Sequence, residues 1–372
     1  MMTEVLFWVC ALLLVYVFAG YPAVLHLAGR VLPRRSVRQP HDSEPRVAVI
    51  VSVYNEVRVI EAKIRNFLEL EYPPDRLELV VVSDGSTDGT DDVVRACSDA
   101  RVRLLVQPRN MGKTVALNRA VAETDAEILL FTDANSMLDS GAVRHLVAEF
   151  ADPMVGLASG TTMYTAAGGD GMYRRYEDML KRMESRLFGI VGADGAIYAM
   201  RRALYEALDP ALINDLLHPI QVVLAGRLPV QCEGAFCTEE TPGTGGNEYR
   251  RQRRIMTQSW LVVLTCAGAL ARAGKWGFLW QVVSHKVLRW LVLPLMAAIF
   301  ALNVPLAAAS PLYGAVLFMQ GLFYACAITF RNADNGMLKL PYLFLLMHAS
   351  GVTGLVRCLR GETVVRWAPR AQ

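Results

Sequence analysis

The chain has 372 residues, 53% of them apolar and 20% charged, with a formal charge of +3. Soluble domains run at about 45–50% apolar and about 25% charged, so the apolar excess has to be local, in membrane segments added to a domain of ordinary size. This excludes a disulfide-stapled scaffold, a coiled coil and a disordered chain, and 38 Lys+Arg against 35 Asp+Glu argue against a nucleic-acid partner.

Residues 5–28 form an apolar run broken only by Gly20, Pro22 and His26, long enough to cross about 30 Å of hydrocarbon as a helix. No Lys or Arg precedes the run and no small-x-small site follows it, which favours a retained transmembrane helix over a cleaved signal peptide. Arg30, Arg34, Arg35 and Arg38 follow, so the positive-inside rule puts that flank in the cytoplasm and the N-terminus outside.

From Pro45 the charge density becomes ordinary. Strands are expected at Val47–Val53, Leu77–Ser83, Val102–Val106 and Ile128–Thr132, short apolar runs bounded by Pro, Gly, Asp or Asn. Helical patterns over 61–70, 88–96 and 113–122 lie between them, and this alternation predicts an α/β, doubly wound, mostly parallel sheet. A Gly-rich stretch follows at Thr241-Pro-Gly-Thr-Gly-Gly246. Apolar runs over 287–309 and 312–330, split by Ser310-Pro311, read as a hairpin crossing outward and back. The stretch 340–356 is shorter, holds Pro341, His348, Gly351 and Gly354, and is followed by Arg357, Arg360, Arg366 and Arg370. It reads as a re-entrant or interfacial element that leaves the C-terminus cytoplasmic.

The expected division is a transmembrane helix over 1–30, the α/β domain over 45–247, a basic interfacial segment over 248–285 and a C-terminal membrane region over 286–372, two transmembrane helices plus a re-entrant or third segment. Seven scattered cysteines with no C-x-x-C pair read as free thiols, a Cys232–Cys237 bridge being the alternative.

Ligands of an open parallel sheet collect at the carboxyl ends of its strands, and three of these ends are acidic or amide-rich. They are Tyr54-Asn55-Glu56, Asp84-Gly85-Ser86-Thr87-Asp88 and Asp133-Ala134-Asn135-Ser136. Taken singly, each is ordinary turn chemistry, and Ser86, Thr87 or Asp88 is a natural helix cap. Together they concentrate negative charge, which a cation or a hydrogen-bonding ligand would neutralise. Gly112-Lys113-Thr114 is not a Walker A loop, because position 107 is Gln, and no G-x-G-x-x-G follows the first strand. Lys113 remains either a point charge for a phosphate or the decoration of a helix start.

The motifs Val49-Ile-Val-Ser-Val-Tyr-Asn-Glu56, Val81-Val-Ser-Asp-Gly-Ser-Thr-Asp-Gly89, Asn110-Met-Gly-Lys-Thr-Val-Ala-Leu-Asn118 and Phe131-Thr-Asp-Ala-Asn-Ser136 together resemble a family 2 glycosyltransferase of the GT-A fold. Val191-Gly-Ala-Asp-Gly-Ala-Ile-Tyr198 and Asn214-Asp215 extend the resemblance. Ser284-His-Lys-Val-Leu-Arg-Trp290 is similar to the membrane-embedded branch of cellulose, hyaluronan and poly-N-acetylglucosamine synthases.

The resemblance implies that Ser52, Tyr54, Glu56 and Asp84 hold the nucleotide of a UDP-sugar, with Lys113 on a phosphate. Asp133 and Asn135 fall on the family's D-x-D element, which meets the ribose and a divalent metal, Mg²⁺ or Mn²⁺. Asn in place of the second acid keeps an oxygen ligand and lowers the charge. Asp215 falls on the catalytic base of an inverting transfer, with a helix N-cap as its bland alternative, and Asp194 lies on the acceptor side. His218 is a metal ligand or, better, a packing residue. Arg251 and Arg254 fall on the diphosphate element Q-x-x-R-W of processive synthases, here Arg251-Gln-Arg-Arg-Ile255, whose missing Trp weakens the case for processivity.

Trp260, Trp276, Trp280 and Trp290, mixed with Arg272, Lys275 and Arg289, read as a segment at the membrane surface. The sequence thus points to a multi-pass enzyme of the inner or plasma membrane with a cytoplasmic catalytic domain. Its acceptor is a polysaccharide or a lipid-linked glycan, and a homo-oligomer or accessory membrane subunit would help to complete a channel. A non-processive lipid glycosyltransferase is the first alternative and a non-catalytic assembly subunit the second.

Overall fold

All seven residues of the run Val47–Val53 are buried, which requires the strand to be covered on both faces. The computed structural model describes residues 1–31, 44–164, 170–240, 246–333 and 336–365, with the side chains of 170–173, 246–248 and 250 left aside. Arg34, Arg35, Arg38, Arg366, Arg370 and most of the Gly-rich stretch at 241–246 lie outside the described residues.

An eight-stranded sheet forms the centre. In chain order its strands are β1 Val47–Val53, β2 Leu77–Ser83, β3 Val102–Val106, β4 Ile128–Thr132, β5 Met137–Leu138, β6 Val155–Tyr164, β7 Ile197–Arg201 and β8 Leu228–Glu239. Their spatial order is β3-β2-β1-β4-β7-β6-β8-β5. The four strands expected from sequence run parallel, whereas β7 lies antiparallel to both β4 and β6. The observed sheet is therefore parallel in the half that ends in acids and mixed in the other.

The helices are α1 Met2–Val15 and α2 Tyr21–Val31, joined by a π-turn into one continuous rod, then α3 Val57–Leu68, α4 Thr90–Arg95, α5 Lys113–Ala122, α6 Ala142–Glu149, α7 Asp170–Ser185 and α8 Asn214–Leu224. There follow α9 Gly246–Arg272, α10 Trp276–Val282, the π-turn Val283–Val287, α11 Leu288–Trp290, α12 Val292–Leu306, α13 Pro311–Thr329 and α14 Gly336–Leu359. One face of the sheet packs Val49, Val51, Leu79 and Val81 against Ile60, Ile64 and Phe67 of α3. The other packs Ile50, Val80, Leu129 and Phe131 against Ala116, Leu117 and Ala120 of α5. Ridges of about ten such side chains, each contributing about 1.5–3 kcal/mol on burial, hold the strand ends in register.

By length and composition, Met2–Val31, Arg251–Arg272, Pro311–Thr329 and Gly336–Leu359 could each cross a membrane, as could the pair Trp276–Trp290 and Val292–Leu306, bent by 61°. Apolar side chains at 5, 9, 12 and 15 stay exposed on the first rod. In α9, by contrast, Trp260, Val262, Val263 and Leu270 are buried in one cluster with Leu216, Leu217 and Ile220 of α8. Its hydrophobicity thus serves the protein interior. The last stretch is one helix of 24 residues, Gly336–Leu359, with Pro341 inside it. Gly351 and Gly354 let it lie against Trp290 and Met256, where a Cβ would collide with backbone. All seven cysteines are free thiols, Cys232 and Cys237 included.

Candidate active site

The loops after β1 and β2 are stitched together by short polar side chains. Asn55, in the left-handed region at φ 57°, receives a hydrogen bond from the Thr87 amide and donates its own amide to Ser86 Oγ. Asp88 accepts from the amides of Val57 and Thr90, the first residues of α3 and α4, and so ties the two helix starts together, where the sequence offered only a cap on the helix that follows. Thr90 Oγ1 accepts from the Glu56 amide. Tyr54 and Glu56 are thereby held half-buried at the rim, while Ser52 Oγ is buried with no hydrogen-bond partner among the described residues.

Asp84 is fully buried, and its two carboxylate oxygens accept the amides of Met111 and Gly112 at 2.7 and 2.9 Å. It therefore shapes the loop that precedes α5. Gly112 has φ +99°, and the backbone carbonyl of Val365 approaches it so closely that a Cβ would not fit. Gln258 of α9 donates to the carbonyl of Val364, so the last described residues lie along this loop.

Lys113, the first residue of α5, reaches across to Asp133 at 2.6 Å. Asn135 Oδ1 is buried with no partner among the described residues. The loop carrying both is pinned by Lys63, a fully buried lysine on the apolar face of α3 that donates to Thr132 Oγ1 and to the Ser136 carbonyl. Burial pushes the Lys63 ammonium down to about 8. This positioning residue escaped the sequence reading, although its signal is there: a lysine set between Ile60, Ile64 and Phe67 at helical spacing, on a stripe otherwise apolar.

Asp215 sits in the first turn of α8, whose N-cap is Ile213, so it is not itself the cap. A carboxylate there gains from the helix dipole. Its carbonyl accepts the Ala193 amide at 2.8 Å, and the carboxylate packs on Gly195. Burial raises the Asp215 carboxyl above the usual range, against the pull of Lys113 and Lys286. Beneath it, Asn214 donates to Tyr198 Oη at 2.6 Å, and that hydroxyl lies 3.0 Å from His218 Nδ1. Both Asn214 and His218 are buried, and an acid at 214 would be a charge with only a phenol for company. His218 stacks among Phe131, Tyr198 and Tyr205, and burial depresses it to about 3; it packs, as the sequence favoured.

Asp194 does not lie open. It accepts from the Thr162 amide and hydroxyl, from Arg174 at 3.2 Å and from the Ala196 amide, tying loop 191–195 to β6 and α7. Arg254 on α9 is within electrostatic reach of Arg251, Asp133 and Asp215. Lys113 and Asp133 are in contact, and the charges of Asp215 and Arg254, on two further elements, act on this pair.

Among the described residues no group of three His, Cys, Asp or Glu side chains could hold a metal alone. Asp133 and Asn135 offer two oxygens, one of them the orphaned buried Oδ1. That donor set fits Mg²⁺ or Mn²⁺, which take one or two protein oxygens plus substrate phosphates and waters.

A mixed sheet with acids at its parallel strand ends, a D-x-N loop and a carboxylate at the start of a facing helix define a GT-A glycosyltransferase domain. Residues 48–209 match the model of Glycosyl transferase family 2. Probable glycosyltransferase YdaM of Bacillus subtilis is 29% identical over 237 residues, 59% of this chain and 56% of that protein. A beta-monoglucosyldiacylglycerol synthase of Synechocystis is 33% identical over 116 residues, 30% of this chain and 24% of the relative. A poly-beta-1,6-N-acetyl-D-glucosamine synthase of Staphylococcus aureus is 27% identical over 116 residues, 31% and 28% of the two chains. The chain thus spans about half of the first relative and about a quarter of the other two. The mannosyltransferase PcManGT of Pyrobaculum calidifontis, solved with GDP-Man and Mn²⁺, superposes with a TM-score of 0.74 at 25% identity, over 96% of this chain and 99% of that one.

Proposed function

We propose that the chain is a membrane-bound inverting glycosyltransferase, moving a sugar from a nucleoside-diphosphate donor to a lipid-linked or polysaccharide acceptor with its catalytic domain on the cytoplasmic side. The observation that carries the reading is the contact of Lys113 with Asp133, with the charges of Asp215 and Arg254 acting on the same pair. Ser52, Tyr54 and Glu56 line the nucleotide end, where Asp84 sets the loop and Ser52 Oγ awaits a partner. UDP is the donor nucleotide favoured by the sequence resemblance, and the GDP-Man held by PcManGT makes GDP the competitor to test.

Asp133 and Asn135 would hold the divalent metal, which when bound supplies charge neutralisation at the departing diphosphate. Lys113 and Arg254, with Arg251 at the rim, add fixed positive charge where negative charge develops. Asp215 takes the proton of the acceptor hydroxyl, and its raised proton affinity makes it a stronger base than an exposed aspartate. Asp194 orders loop 191–195 against Asp215 on the acceptor side.

The relatives whose names specify an acceptor are a diacylglycerol glycosyltransferase and a polysaccharide synthase. The apolar rods on either side of the domain support a bilayer location. Purified chain incubated with radiolabelled UDP- and GDP-sugars and a membrane lipid extract tests the proposal. Label moves into a lipid or polymer fraction in a metal-dependent manner; hydrolysis alone, or no turnover of any donor, overturns it.

A further inference from the structure

A chain of buried hydrogen bonds runs from the first apolar rod to the loop on which Asp215 packs. Its hub is Glu184, in the last turn of α7 and fully buried. Glu184 Oε1 accepts from Tyr21 Oη at 2.5 Å and lies 2.6 Å from His285 Nδ1, while Oε2 accepts the Val191 amide at 3.2 Å. The Glu184 carbonyl accepts the amides of Leu187 and Gly189, so this residue both closes α7 and sets where the chain re-emerges at 191. Gly189 makes the turn at φ +99°, with Pro229 where a Cβ would stand.

From Val191 the path to the base is short. The Ala193 amide donates to the Asp215 carbonyl at 2.8 Å, and a Cβ on Gly195 would stand 3.0 Å from Asp215 Oδ2. The far end of the loop is tied down at Asp194, whose amide donates to Ser159 Oγ at 2.8 Å. Glu184 therefore holds one end of the loop and Asp194 the other.

The donors that converge on Glu184 come from elements remote in sequence. Tyr21 follows the π-turn Tyr16–Gly20 of the rod, and His285 lies in the middle of the π-turn Val283–Val287. The two turns meet where Tyr16 Oη lies 2.8 Å from Ser284 Oγ. A π-turn adds one residue to a helical turn and so re-aims the side chains around it. His285 has an acid at each ring nitrogen, Glu184 at Nδ1 and Glu177 at Nε2. The nearby cations are balanced too, Lys181 by Asp178 and Asp194, and Lys286 by Glu184 and Asp215. A buried carboxylate that takes three donors is held firmly, and leaving one of them without a partner is costly.

We propose that Glu184 is a positioning residue for Asp215: held by Tyr21 of the first rod and by His285, it fixes the Val191 end of the loop on which the base rests, which makes the rod part of the transfer machinery. This rests on Asp215 being the base, as proposed above, whereas the linkage itself does not.

Full-length chain in detergent is compared with three variants. Tyr21→Phe keeps the ring and deletes one donor, and Glu184→Gln leaves a single acceptor oxygen for three donors. Tyr176→Phe deletes a bond from α7 to the Phe18 carbonyl of the same rod that does not involve Glu184. We expect kcat to fall about tenfold in each of the first two with donor KM within about twofold, and no further in the double variant than in the lower single. Tyr176→Phe matches the wild type. Amide hydrogen exchange over residues 189–195 quickens in Tyr21→Phe and Glu184→Gln, while residues 84–90 and 110–113 exchange as in the wild type.

Unchanged exchange over 189–195 in both variants overturns the linkage, and faster exchange with unchanged kcat overturns the positioning role. A loss shared by Tyr176→Phe, or a fall in kcat matched by a fall in nucleotide affinity, reduces Glu184 to a contact that holds the fold and overturns it as well. A wild type without turnover counts against the proposed function, since exchange still reads the linkage.

Discussion

The two sides of the crevice are built by different physics. On the nucleotide side, each loop is locked by hydrogen bonds between side chains and backbone: Asp84 on residues 111 and 112, Asp88 on α3, Asn55 on Thr87. On the side of the apolar helices, side chains hold side chains, in a buried set of acids and bases spanning α7, the π-turn and the first rod. The first arrangement is written in short local motifs, whereas the second draws on residues far apart in the chain.

That contrast can be broken in order of effect. Asp215→Asn keeps the size and the helix start but removes the base; transfer is expected to fall about 10³-fold with nucleotide affinity unchanged. Radiolabel transfer and nucleotide titration on the same preparation check this, and the wild-type rate should rise with pH through the raised Asp215 pKa. Asp84→Ala strands two loop amides and should cost about 3 kcal/mol, visible as a lower urea midpoint together with loss of nucleotide binding. Lys63→Met releases the loop of Asp133 and Asn135 without touching the ligand, and should weaken metal-dependent nucleotide binding about tenfold.

A further test concerns His218 and is read in stability, not in activity. Its folded pKa of about 3 lies below the unfolded value, so between the two the unfolded chain binds the extra proton and stability rises with pH. His218→Phe should flatten that rise between about pH 3 and 6.5, as followed by thermal melts across pH. An unchanged slope would place the acid sensitivity elsewhere.

The parallel half of the domain was legible because its signals are local. Val47–Val53, Leu77–Ser83, Val102–Val106 and Ile128–Thr132 stand in the structure where their apolar runs and bounding turns put them. The mixed half was not. Strand β7 pairs antiparallel with β4 and β6 across long stretches of chain, and no period in residues 155–164 or 197–201 announces that pairing. In the site, motif spacing located Asp133 and Asp215 but said nothing of what they touch. Lys63 and Lys181 escape notice because a lysine on a helix is usually solvated, although Lys63 sits on a stripe that is otherwise apolar. Asp194 illustrates the converse: its motif marked it, and the structure shows its carboxylate committed to Thr162, Arg174 and Ala196.

The account stands on one crevice taking a nucleoside diphosphate together with a cation. Isothermal titration of UDP and of GDP, with and without Mn²⁺, on the wild type and on Asp133→Ala measures this directly. We expect one nucleotide to bind far more tightly with Mn²⁺ and that gain to vanish in the variant. Equal affinities with and without metal, unchanged by Asp133→Ala, would contradict it.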